Sequence, residues 1–417
     1  MDSVSTLDHR GPFRQSGPAG MSHDGARRAD AAPDGARDHA GPRALFVQKG
    51  VFSGSNAGLL AGLRQVRPDL RIDVLDIRDA LSRPLLPSMR LMARSLLEPG
   101  LPGVVWSRNP RGGFGLREHF RNRFIRSHGA FDAIRDIVRA RVAEGRYAFT
   151  IQTQSLFDAS VPGTPQFVYT DHAALARGGG APVPPAGGGW LAREGQIYEN
   201  ATHVFTFGPH VRSVIVERYG VPPEKVTAVG SGTQASVAAA VDTRVDRYRR
   251  RRVLFVGRAW ERKGGPELLA AFRIVRRSVP DAELVVVGTS APQDEPGVTV
   301  LGPLPREAVA RQFAEASLFC MPSRLEPFGI VIAEAMQHGL PVVSTRVGEM
   351  SSMVEQEVSG LLVPPSAPEA LAEALVRLLR DPELSAAFAR RGMRRAEAFT
   401  WPTVAEKMAR HFPVGDL

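Results

Sequence analysis

A chain of 417 residues, 43% apolar and 23% charged, is long enough for two globular domains. Its one cysteine, Cys320, excludes an internal disulfide and a cysteine-based zinc site, and no apolar run reaches the ~18 residues that span a bilayer. The net charge of +10 invites an anionic partner, yet only four of the 53 basic residues are lysine, an arginine bias that a GC-rich coding background also produces, so nucleic acid is not expected.

Residues 1–42 are rich in Gly, Ala, Arg, Asp, Ser and Pro without apolar periodicity, and a disordered tail is expected there. Without an apolar leader segment the expected location is the cytoplasm, at most against the inner face of a membrane. Ala44-Leu45-Phe46-Val47 predicts a strand that runs into a turn at Lys49-Gly50. Helical spacing over 55–63 and alternation over 72–76 then complete the opening of a doubly wound parallel sheet. From 83 to 146 the pattern is helical and irregular. Arg108, Arg111, Arg117, Arg121, Arg123 and Arg126 stand there against a single acid, Glu118. A solvated helical face accounts for this cluster, and so does a patch for an anionic acceptor or for membrane head groups. Further strands are predicted at 149–151, 166–169, 203–206 and 226–229, with a glycine–proline loop over 178–189.

After a linker at 236–250 a second unit opens in the same way. Val253-Leu254-Phe255-Val256 is a buried-type strand ending in a glycine turn, 268–275 a helix, and 283–288, 317–321, 341–345 and 360–363 further strands. Domains are therefore expected at 43–235 and 251–395, with a terminal segment at 396–417. Open sheets of this kind bind ligands at the carboxyl ends of their strands.

Two stretches carry chemistry. Gly257-Arg258-Ala259-Trp260-Glu261-Arg262-Lys263-Gly264 lies between a strand and a helix, which puts two cations, Arg258 and Lys263, on an anion-binding turn. Lys49 occupies a similar turn in the first unit. The second stretch runs Glu326-Pro327-Phe328-Gly329-Ile330-Val331-Ile332-Ala333-Glu334-Ala335-Met336. Pro327 and Gly329 look like a helix start, whose N–H groups at Phe328, Gly329 and Ile330 could meet phosphate or a sugar oxygen. Glu334 sits within an apolar run, where a carboxylate needs partners; ribose hydroxyls would serve, and so would a structural salt bridge.

Residues 252–363 resemble the donor-binding half of family 4 of the retaining glycosyltransferases. The resemblance rests on Val256-Gly257-Arg258, Lys263-Gly264, Leu301-Gly302, Met321-Pro322-Ser323, the Glu-x7-Glu pair Glu326 and Glu334, and Gly360-Leu361-Leu362-Val363-Pro364. It implies the α/β fold called GT-B, two Rossmann-like domains facing a cleft. Arg258 and Lys263 would then hold the donor diphosphate and stabilise the departing nucleotide, Glu326 would face the transferred sugar, and Glu334 would bond the ribose. Phe328, Gly329, Ile330, Gly257, Leu304 and, from the first domain, Gly50 would complete the donor site. His172, in Phe167-Val168-Tyr169-Thr170-Asp171-His172, resembles the strand-end histidine that the family sets against the donor sugar on the acceptor side. Residues 202–232 and Phe399-Thr400-Trp401 also resemble the family, the last as a helix crossing back to the first domain. The sequence departs from the pattern at 347–352, where Glu349 stands for a glycine and Ser351-Ser352 for a Pro-Glu pair, and at 50–55, which lacks a plain double glycine.

With no Asp-x-Asp motif, neither metal nor cofactor is expected, and the leaving diphosphate would fall to Arg258, Lys263 and helix amides. The expected reaction is retaining transfer from a nucleotide-sugar to an unidentified acceptor. A disaccharide phosphorylase, a sugar-nucleotide epimerase and a non-catalytic nucleotide-sugar binding protein are the alternatives.

Overall fold

A computed structural model describes residues 41–82, 128–177, 189–234, 241–289 and 295–413. The tail up to residue 40, the arginine cluster at 108–126 and the loop over 178–188 lie outside them. Six strands form the first sheet: β1 Arg43–Gln48, β2 Arg71–Asp76, β3 Phe149–Thr153, β4 Gln166–Thr170, β5 His203–Thr206 and β6 Val226–Ala228. They run in the order β2-β1-β3-β4-β5-β6, every pair parallel. Six more form the second: β7 Arg252–Val256, β8 Glu283–Val287, β9 Val298–Gly302, β10 Leu318–Met321, β11 Val342–Thr345 and β12 Gly360–Val363. Their order is β12-β11-β10-β7-β8-β9, again parallel throughout.

Helices on both faces explain the strand sequences. β3, β4, β10 and β11 are buried at every residue, as strands covered on both sides must be, and so they read as near-continuous apolar runs. The helix Gly265–Ser278 covers the second sheet with Leu268, Phe272 and Val275, spaced for one helical face. In each sheet the chain reverses its direction of travel once, between β1 and β3 and between β7 and β10, and a crevice opens at the carboxyl ends of those strands.

The charged stretch before β7, taken as linker from its composition, holds a short helix, Val245–Tyr248, and a buried arginine. Arg247 is only 2% exposed, because its guanidinium caps two helix ends of the second domain.

The end of the chain returns to the first sheet. The helix Trp401–Ala409 lies on the helix Ser55–Val66, so closely that a methyl group on Gly58 would fall 2.1 Å from the Trp401 indole nitrogen. Beyond it Phe412 packs on Phe149 and Phe167, with ring centroids 4.8 and 4.9 Å apart. His411 stacks on His203 at 3.9 Å. Burial, then His411 and Lys225, push the His203 pKa down to about 4. Below pH 6.5 the unfolded chain gains a proton that the folded one refuses until about 4, so stability is full above 6.5 and falls as pH drops through that window. We expect a loss of about 1–2 kcal/mol, since solvent at the ring edge screens part of the effect. Urea denaturation at pH 7 and 4.5 measures it; a His203→Phe variant with the same pH dependence as wild type would reject His203 as its source.

Candidate functional site

β7 and β10 are neighbours although β8 and β9 come between them in the chain, so the turns that leave their carboxyl ends meet. The turn after β7 ends at Gly264, whose φ is +76° and where a Cβ would stand 1.8 Å from the carbonyl oxygen of Pro322. Only glycine allows that approach, and the approach sets Lys263 against the segment after β10. There the Lys263 ammonium donates to the Glu326 carboxylate. The Arg262 guanidinium lies 3.3 Å from the same oxygen and donates at 2.8 Å to the Leu325 carbonyl.

The pair is nearly dry: the Lys263 side chain is 12% exposed and that of Glu326 8%. Burial pushes the Lys263 pKa below its ordinary value, and the Glu326 carboxylate pulls it back up. Two cations around one carboxylate leave an excess positive charge; Arg258, on the same turn, is exposed and is not among the residues that line the cavity between the domains. An anion entering beside Lys263 would therefore find an ammonium already desolvated and already charged.

A helix start faces this cluster. Ile330–Gln337 begins at Gly329, with φ +87°, and directs its first N–H groups toward the crevice. The cavity between the domains has a volume of about 460 Å³, adequate for a small-molecule ligand. Arg262, Lys263, Glu326, Phe328, Gly329 and Ile330 line it from the second domain, and Phe52, Ser55, Asp171 and Phe207 from the first. Phe207 bridges the two walls, edge-on to Phe328 at 5.3 Å and 5.6 Å from Phe52.

The remaining sequence candidates lie around this centre. Gly257 supports Lys263 from behind, where a Cβ would stand 3.3 Å from Lys263 Cγ. Leu304 is partly buried against the core. Glu334 is one turn further along the helix from Ile330; burial raises its pKa, while the backbone N–H of Gln234 and the charge of Arg306 lower it. Its carboxylate therefore lies near the Gln234 backbone and the Arg306 guanidinium. The amide of Gly50, expected in the donor site, donates to the Asp76 carboxylate at 3.0 and 3.3 Å, and the Gly50 carbonyl accepts from Asn56 at 2.5 Å. The backbone carbonyl of His172 accepts from Thr170 Oγ1 at 2.8 Å and from Ser155 Oγ at 3.3 Å, and it is the adjacent Asp171 that lines the cavity.

Sequence reasoning missed Phe52, Ser55, Asp171, Phe207 and the part of Arg262. Arg262 and Asp171 adjoin residues it singled out. Phe52 left a signal visible only in the backbone: its φ of +40° is uncommon for a residue with a side chain.

A family profile described as glycosyl transferases group 1 matches residues 250–381. Two curated relatives are both named D-inositol 3-phosphate glycosyltransferase. The one from Frankia alni is 30% identical over 279 residues, 59% of this chain and 68% of its own. That from Segniliparus rotundus is 30% identical over 237 residues, 52% of this chain and 53% of its own, so the chain spans between about half and two thirds of the length of these relatives. Among solved structures, Anabaena HepE in complex with UDP-glucose superposes with a TM-score of 0.58 at 17% identity, over 88% of this chain and 98% of that one. This last likeness is one of fold.

Proposed function

This chain belongs to the group 1 glycosyltransferases and has their two-sheet GT-B fold, and we propose that it transfers a sugar from a nucleotide-sugar to an acceptor with retention and without a metal. One observation carries the reading: the Lys263–Glu326–Arg262 cluster and the start of the helix Ile330–Gln337 open together onto one cavity at the reversal point of the second sheet. A diphosphate at the helix start would draw Lys263 from Glu326. The freed carboxylate would then face the sugar. Negative charge growing on the leaving diphosphate would meet Lys263, Arg262 and backbone N–H groups at the cavity, with Arg258 on the same turn, which is the work a divalent metal performs elsewhere. Retention fits front-face attack, the leaving phosphate taking the acceptor's proton, and needs no nucleophile from the protein.

UDP comes first as the donor nucleotide, because HepE, one of the neighbours in fold, was solved with UDP-glucose. Binding of UDP, GDP, ADP and TDP by calorimetry, to wild type and to Glu334→Ala, tests the site. One nucleotide should bind with chelator present and lose about tenfold or more in the variant, the worth of a charge-assisted hydrogen bond. Binding of none of the four would leave the family's fold without its donor site.

The acceptor reading is coarser. The relatives' names give theirs as inositol 3-phosphate, and the arginines at 108–126 offer positive charge, so an anionic acceptor, free or at the inner face of a membrane, is part of the proposal. Sedimentation with anionic vesicles at low ionic strength separates the two: no association removes the membrane.

A further inference from the structure

Glu349, the residue that stands for a glycine in the family pattern, is fully buried. It belongs to the second domain, on the loop after β11, but its carboxylate reaches the first. It accepts from the backbone N–H of Val211 at 2.9 Å and of His210 at 3.2 Å, in the first turn of the helix Pro209–Tyr219. Ser352 Oγ donates to it at 3.1 Å. The helix dipole favours a negative charge at that end, and a carboxylate so buried cannot give up these donors without water to replace them. The first domain is shaped for it. Gly208, extended at φ −161°, precedes the helix, and a Cβ there would fall 2.2 Å from the Glu349 carboxyl carbon.

The neighbours of Glu349 touch the donor site. A Cβ on Gly348 would lie 1.9 Å from the Glu326 carbonyl oxygen, and one on Gly329 would lie 2.5 Å from the terminal methyl of Met350. The loop is thus wedged between the first-domain helix and the backbone that carries Glu326 and Gly329. We propose that Glu349 is a positioning residue which locks the two domains in the arrangement seen here and, through Gly348 and Met350, couples that closure to the placement of Glu326 and the helix start at Gly329. Closure would then be a docked state. Opening must hydrate the carboxylate and two helix N–H groups together, so intermediate separations are disfavoured.

The test uses distances and kinetics on the full chain. Cys320 is buried, so spin labels can go on Arg139→Cys and Glu369→Cys, exposed positions of the two domains. The labelled wild type should show one narrow distance, and Glu349→Ala a longer and broader one. Gly208→Ala should give the same change, because its backbone tolerates alanine while the methyl expels the carboxylate. The double variant should be no worse than either single, and Glu349→Gln, still an acceptor, should recover part of the closed distance. In turnover, an arm that rests on the glycosyltransferase reading, kcat should fall about tenfold or more while nucleotide affinity stays within about twofold. Unchanged distances in folded Gly208→Ala and Glu349→Ala would overturn the proposal whatever the activity, and so would additive losses in the double variant. A chain with no transferase activity but shifted distances would leave the lock standing and reject only the reading of the reaction.

Discussion

Lys263→Ala should lower turnover by about two to three orders of magnitude while nucleotide affinity falls only about tenfold. The two effects separate because the contacts do. In the ground state a diphosphate would still have the helix start at Gly329, Arg262 and Arg258. In the transition state the charge grows on the phosphate oxygen that leaves the sugar, and Lys263 is the cation held nearly dry beside Glu326. An ammonium desolvated in advance loses little hydration when the charge arrives, so its interaction strengthens as the bond breaks. Lys263→Arg should not restore the rate. The site beside Met321 Sδ, 3.5 Å from the ammonium, holds a compact charge, and a planar fork would collide there or turn toward Glu326. Steady-state rates over donor concentration, with melting curves to check folding, measure all of this. Wild-type kcat in a folded Lys263→Ala would remove Lys263 from the mechanism.

The sequence made this centre legible in pieces and hid how they join. The turn at 257–264 and the stretch at 326–336 are local patterns, each a strand end feeding a helix, and local patterns survive in one dimension. Lys263 and Glu326 are 63 positions apart, and their meeting depends on β10 crossing to the far side of β7, a sheet order that no local pattern encodes. Strand types were readable for the same reason. Strands buried on both faces are apolar runs, whereas β9, an edge strand whose residues alternate between partly buried and exposed, shows only Val298-Thr299-Val300 and was not anticipated. Glu349 marks the limit most clearly. In sequence it is a polar residue where a glycine is usual; its partner His210 is 139 positions away, and the space it fills exists because Gly208 has no side chain. Charge misled in the opposite sense at Arg247, whose arginine-rich surroundings read as solvated linker although the residue itself is buried.

Arg247→Ala should accordingly be among the most destabilising substitutions in the chain, costing about 3–5 kcal/mol. The guanidinium donates to the carbonyls of Phe313 at 2.6 Å and Ala316 at 3.0 Å, at the end of the helix Arg306–Glu315. It also donates to His338 at 2.8 Å, at the end of Ile330–Gln337, and to Asp242 at 2.8 Å. Two helix C-termini with their negative dipole ends thus share one cation. Burial lowers the Arg247 pKa, but a guanidinium stays protonated at that cost. Alanine would leave at least three carbonyls without a donor where water has no easy access, each worth about 1–3 kcal/mol, and would open a void besides. Arg247→Met separates these terms, since it fills most of the volume and donates nothing. If the carbonyls dominate, methionine should be nearly as harmful as alanine, and Arg247→Lys should recover little, because one ammonium cannot span both helix ends. Urea midpoints of the three variants decide the order. A methionine variant as stable as wild type would mean that the side chain is there to fill space, and that the two helix ends find their donors elsewhere.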